Sequence, residues 1–174
     1  VSDGSVIAHF SPPTILASSK TEAPSENERT PTLSDTLVLQ AERDERLSSY
    51  RNIAREAFAR NTSVIVIVPT VPEAETLSEK LSRGIEEQVL LMTTALPKKA
   101  LLAAWQRGVG DTKPLLIVAT PQFLMLPRTV ETIIVERESA RAYVGRERGA
   151  LDARIMAEEV ARMSGARLIL ADFP

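Results

Sequence analysis

From Leu37 onward, short β-branched and aliphatic runs alternate with stretches in which apolar positions recur every three or four residues. Leu37–Gln40 predicts a strand. Arg43–Arg60 places Leu47, Tyr50, Ile53, Ala54, Ala57 and Phe58 on one face of a helix. Val64–Val68 (VIVIV) is apolar at every residue, which suits a central parallel strand covered on both faces. Pro72 fits the first turn of a helix reaching about Arg83, where its missing N–H is not needed. Val89–Thr93 predicts a third strand, and Lys98–Arg107 a third helix opened by Pro97. Leu115–Ala119 and Thr132–Val135 are two more buried strands. Ala150–Met163 is a long helix that Gly165 is placed to cap, and Arg167–Ala171 is a last strand. Alternation of this kind implies an α/β fold in three layers, a mainly parallel sheet with helices on both faces.

Residues 11–36 differ: they hold four of the eleven prolines with many Ser, Thr and Glu. They predict a flexible arm or linker over 1–36, ahead of one domain over 37–174. Within the arm, Val6–Phe10 is a short apolar stretch with nothing nearby to pair with. The chain opens on Val1 rather than Met, as expected of a piece of a longer protein, and no repeat of solenoid period is present.

Composition narrows the function classes. At 44% hydrophobic and 25% charged the chain is ordinary globular protein, and its net charge of −2 excludes a compact, strongly basic nucleic-acid binder but not a local basic patch. Without cysteine there is no disulfide, thiolate nucleophile or zinc-thiolate site. The single His9 lies in the polar leader, which argues against a Ser-His-Asp triad or a multi-histidine metal site. No apolar run approaches the roughly 20 residues that span a bilayer, and no signal pattern opens the chain, so a cytoplasmic protein without membrane contact is expected.

Ligands of such sheets bind at the carboxyl ends of the strands. The segments there are QAERDERL (40–47), PTVPEAE (69–75), TALPKKA (94–100), TPQF (120–123), ERESARAY (136–143) and DFP (172–174). Their order resembles the first RecA-like lobe of superfamily 2 helicases, most closely the primosomal replication-restart helicases of the primosomal protein N′ kind. VIVIVPTVPEAETLSEKL (64–81) resembles the unit with the V-P-E turn. LLMTTALPKKALLAAWQRG (90–108) resembles the stretch in which Trp105 matches the family's Trp. LLIVATPQFLMLP (115–127) and TIIVERESARAY (132–143) resemble the next segment and the acidic box, and LADFP (170–174) the motif closing the lobe. In the family, the resemblance implies, such a lobe uses ATP and magnesium with a second lobe, binds forked DNA and works with replication-restart proteins.

The departures from that pattern cluster at the nucleotide. Gln40, Arg43 and Glu45 stand at the three P-loop glycines, Arg46 at the lysine and Leu47 at the magnesium-binding threonine. A phosphate cradle needs inward-turned N–H groups and positive φ, which glycine supplies, and there is no glycine between Gly4 and Gly84. Glu42, Asp44 and Glu45 would further repel polyphosphate. In the acidic box the family's acids and His are Glu136, Arg137, Glu138 and Ser139. No catalytic residue, resident cofactor or metal site is therefore expected.

Taken singly, these residues have plain readings. Glu136, Arg137 and Glu138 read as a surface charge cluster and Arg46 as an ordinary helix-surface cation. Tyr50, Phe58 and Trp105 read as core. Arg137, Arg141, Arg146 and Arg148 form the densest basic stretch, offset by Glu136, Glu138 and Glu147, and read as a solvated loop. Thr70, Thr94 and Thr120 follow strands where the related helicases touch a DNA backbone through hydroxyls and N–H groups. Three functions follow: a degenerate lobe that binds DNA or scaffolds without ATP turnover, a divergent active ATP-dependent (3′–5′) helicase domain, or a RecA-like interaction domain without DNA binding.

Overall fold

A computed structural model describes residues 35–144 and 151–174. The expected arm, apart from Asp35 and Thr36, lies outside the described residues, as do Arg146 and Arg148. Six strands form one sheet: β1 (Thr36–Gln40), β2 (Ser63–Ile67), β3 (Val89–Met92), β4 (Leu116–Ala119), β5 (Val130–Glu136) and β6 (Arg167–Asp172). Their order is β1-β6-β5-β2-β4-β3 and every pair is parallel. The helices are α1 (Arg43–Ala59), α2 (Val71–Ser82), α3 (Lys98–Gly110) and α4 (Ala153–Ser164). The predicted strands and helices are all present, with ends displaced by a few residues.

Successive strand residues point to opposite faces, and that alternation divides the apolar strands between two core layers. Val64 and Val66 of β2, with Ile134 and Ile169, meet Leu47, Tyr50, Ala54 and Ala57 of α1 and Ala74, Leu77 and Leu81 of α2. Ile65 and Ile67 turn the other way, joining Ile117 and Ile133 against Ala153, Ala157 and Ala161 of α4. The three alanines, one per turn or so, let α4 lie close to the sheet. Asp152 caps that helix, accepting the Arg154 N–H at 2.9 Å, and Gly165 ends it at φ +71°.

α3 is held less completely. Leu101 and Ala104 pack at the margin of the second layer, and a Cβ at Gly108 would stand 3.0 Å from Leu126 Cδ2. Trp105, expected in the core, is 39% exposed beside the exposed Leu102 and Val109. The reason is rotational: the seat against the sheet belongs to positions 101, 104 and 108, so residue 105 points outward. Among the described residues no helix is long and apolar enough to cross a membrane.

The chain leaves β2 through α2 on one face and β5 through α4 on the other, and β2 and β5 are neighbours. Such a reversal opens a crevice at the carboxyl ends of the two strands.

Candidate functional site

The carboxyl edge of the sheet has two halves. On the β1, β6 and β5 side, only Ala41 and Glu42 separate strand β1 from helix α1. Glu42 is extended (φ −60°, ψ 156°), and no residue from 40 to 47 has positive φ. Residues 43–47, which the resemblance lays over the end of a P-loop, are already helical.

One helical turn before Tyr50, on the same inward face, stands Arg46. It is 1% exposed, not the helix-surface cation expected from its type. Its Nη2 donates to Glu136 Oε1 at 2.9 Å and its Nε to Oε2 at 3.2 Å. Nη1 donates to the Ala41 carbonyl at 2.6 Å and to that of Asp172 at 3.3 Å. The Tyr50 hydroxyl donates to Glu136 Oε2. The Phe173 ring lies over the guanidinium, its centroid 4.5 Å from Cζ. Glu136, 8% exposed, is likewise not part of a surface charge cluster. Both corrections have one cause: each charge is buried because the other satisfies it, through two-pronged bonds that suit a guanidinium and a carboxylate. Burial opposes the Arg46 charge, but Glu136 outweighs it and raises the guanidinium pKa. Burial, and then Glu136, push the Tyr50 phenol far up.

Of the other residues marked by the resemblance, Arg43 and Arg137 stay beside this pair and the rest disperse. Gln40 and Glu45 are exposed, Leu47 is core, and Glu138 faces Arg154 at 3.8 Å. What remains of the crevice is a cleft of about 160 Å³ bordered by Arg43, Arg46, Glu73, Glu136, Arg137 and Phe173. Among the described residues no cluster of three or more His, Cys, Asp or Glu is arranged to hold a metal ion.

Arg137 connects the two halves. It holds φ +53°, a left-handed conformation uncommon outside glycine, and pairs with Glu73 in the first turn of α2. The other oxygen of Glu73 accepts the Thr70 hydroxyl at 2.9 Å. Thr70 in turn lines a broad open groove of about 490 Å³ at the ends of β2, β3 and β4, together with Thr94 and Thr120. The three threonines singled out in the sequence thus share one groove.

They are not equivalent. Thr70 and Thr94 are exposed, while Thr120 is 3% exposed with an enclosed hydroxyl that has no hydrogen-bond partner. Its N–H is spent on the Met92 carbonyl at 3.1 Å. Of the three, Thr120 therefore has an enclosed hydroxyl and an N–H already bonded, while Thr70 and Thr94 stand open. Among the described residues none that lines the groove is charged, and Met125 and Leu151 stand exposed on its rim. Lys98 and Lys99, both exposed, open α3 shortly after Thr94. Beneath the groove the Tyr143 hydroxyl lies 2.6 Å from the Glu136 carbonyl and 2.9 Å from that of Ile67, tying β5 to β2.

Sequence reasoning passed over Glu73, Phe173 and the bond from Tyr50 to Glu136. The spacing of Arg46, Tyr50 and Ala54 at four-residue intervals was a signal for the burial of Arg46, since it puts Arg46 on the apolar face.

No protein-family model matches the chain, and no curated protein does. Solved structures do. The DUF1998 helicase MrfA bound to DNA superposes with a TM-score of 0.54 at 8% identity, over 80% of this chain and 20% of that one. The C-terminal domain of the DEAD-box protein Dbp5 gives 0.53 at 14%, over 83% and 77%. The DEAD-box helicase Mss116 bound to ssRNA and UDP-BeF gives 0.53 at 16%, over 80% and 27%. The chain thus spans about a fifth of MrfA, and its six-stranded parallel sheet between two helical layers is the fold of a RecA-like helicase lobe.

Proposed function

We propose that this chain is a degenerate RecA-like lobe of a primosomal protein N′-like replication-restart helicase, holding DNA or partner proteins without ATP turnover. The observation that carries this reading is Arg46, at the position the resemblance lays over the P-loop lysine, bound to Glu136 and two backbone carbonyls under Phe173. ATP and magnesium do not fit the residues present. A two-residue connection leaves no loop to wrap a triphosphate, and Glu136, which the resemblance lays over the first acid of the acidic box, is already bonded to a guanidinium. Assignment to the first lobe rests on the motif order in the sequence, because a helicase C-terminal domain shares the fold.

The nucleic-acid part of the reading rests on the groove, with Thr70 and Thr94 offering hydroxyls and Lys98 and Lys99 supplying charge beside it. Contacts of this kind hold a backbone without reading bases. The uncharged lining among the described residues, with exposed Met125 and Leu151, favours a second reading, an interaction domain that docks protein and not DNA.

Calorimetry with magnesium and a non-hydrolysable ATP analogue tests the nucleotide claim, with no binding expected. A low-micromolar Kd abolished by Arg46→Ala would overturn it. Titration of labelled single-stranded and forked DNA at two salt concentrations separates the two readings. The first expects salt-sensitive dissociation constants of about 10⁻⁴–10⁻⁶ M, and the second expects none. Tight, sequence-selective binding would refute both.

A further inference from the structure

Helix α3 begins unlike its neighbours. α1 and α2 carry acids in their first turns, Asp44 and Glu45 in one and Glu73 in the other, and α4 is capped by Asp152. α3 opens on Lys98 and Lys99, with no acid in its first turn. Cations at that end oppose the helix dipole. Among the described residues no carboxylate pairs with either lysine.

The outward face of the same helix is apolar. Leu102 is 56%, Trp105 39% and Val109 44% exposed. Helical spacing sets these three in one row that starts at Lys98. No residue of the helix (KKALLAAWQRGVG) is acidic. Its third cation, Arg107, is turned to the Glu87 and Val89 carbonyls and to Asp111, 3.7 Å away. The row from Leu102 to Val109 runs about 10 Å, the length over which a second helix presents anchors at i, i+3 or i+4, and i+7.

We propose that this face docks an amphipathic helix of a partner protein, with apolar anchors on Leu102, Trp105 and Val109 and carboxylates on Lys98 and Lys99. Charge selects this occupant. The partner's acids supply at the start of α3 what the other helices supply from their own chain. A second copy does not: set parallel it brings Lys98 to itself, and set antiparallel it brings Lys98 toward Lys113, beside an Asp111 already paired with Arg107. A phosphate backbone laid along the row would find cations only at its start, then the aliphatic Leu102 and Val109, then Asp111. An anionic lipid surface would meet Asp111 and Glu87 at the far end, and α3 cannot sink into it while Gly108 is seated on Leu126.

Trp105, the sole tryptophan of the chain, is a built-in reporter. The probe is a synthetic peptide of about three helical turns, with leucines at i, i+3, i+4 and i+7 and glutamates clustered at one end. Titrated into the full chain, it is expected to shift the indole emission to shorter wavelength, saturating with a Kd on the order of 10⁻⁵ M, as suits a small interface. Leu102→Asp, at an exposed position, is expected to weaken binding about tenfold or more. Lys98→Glu with Lys99→Glu is expected to lose the glutamate peptide and to accept the same peptide with lysines in place of glutamates. No shift, or an equal shift with a scrambled peptide, overturns the proposal. Emission already typical of a buried indole in the free chain overturns it too, as does a shift produced by protein concentration alone, which would mean a second copy. A shift seen only with oligothymidine or only with anionic vesicles gives the face to nucleic acid or to lipid instead. The proposal rests on neither reading of the groove: Thr70→Val and Thr94→Val are expected to leave peptide binding unchanged.

Discussion

The filled and open halves of the sheet's carboxyl edge are built from similar strands and face the same way, yet they handle polar groups oppositely. On the β1, β6 and β5 side, charge is drawn inward and spent: Arg46 and Glu136 satisfy each other, and Tyr50 and two backbone carbonyls take what is left. On the β2, β4 and β3 side, among the described residues, the groove lining carries no charge, and the threonine hydroxyls are either exposed or buried without partners. The first half has the economy of a core and the second that of a surface for something else.

The sharpest way to break this comparison is to remove Glu136. Glu136→Ala leaves the Arg46 guanidinium buried and unpaired, and urea unfolding should show a loss of about 3–5 kcal/mol. The double change Arg46→Met with Glu136→Leu should recover most of it, since an apolar pair of similar size fills the same space. A silent Glu136→Ala would mean that the filled half is not structural.

Acid should loosen the filled half first. Burial acts to raise the Asp172 carboxyl pKa, but hydrogen bonds from the Ser139 and Phe173 N–H groups outweigh it and hold the pKa below the usual range. A depressed folded pKa gives stability that is complete above the unfolded value of about 3.9 and is lost as pH falls through the folded one. The Ser139 and Phe173 amide resonances should therefore move below about pH 4, ahead of those of Thr94.

In the open half, Thr120→Val removes a hydroxyl that has no partner. It should raise stability by about 1 kcal/mol and leave DNA affinity unchanged, whereas Thr70→Val and Thr94→Val should weaken binding. Loss of binding in Thr120→Val would show that the threonines act alike after all.

The smallest effect concerns the bridge between the halves. Arg137→Ala breaks a partly exposed ion pair and should cost less than about 1 kcal/mol of stability. It also leaves the Glu73 carboxylate uncompensated beside Thr70, so nucleic-acid affinity should fall a few-fold, on the scale of one screened charge. Adding Glu73→Gln should restore it.

The sheet and its layers were legible because burial on both faces leaves a continuous apolar strand, as in VIVIV, that a half-exposed strand does not have. The groove was legible in part, because turns after parallel strands converge whatever their residues are. The filled half was not. A lone Arg on a helix and a Glu after a strand, 90 residues apart, are each surface residues by type, and only their meeting makes burial affordable. Trp105 failed in the opposite sense: a large aromatic predicts burial, but helix rotation is decided by Leu101, Ala104 and Gly108. The burial of Thr120 was not legible because a residue at a strand end can belong to either the last buried rung or the first turn.

The two-residue passage from β1 to α1 also bears on descent. Glycines placed at 43–47 to make a phosphate loop would weaken the start of α1 and disturb the Arg46–Glu136 pair before any ligand could reward them. The start of the helix and the buried ion pair are thus tied to one register, and selection for stability alone keeps both.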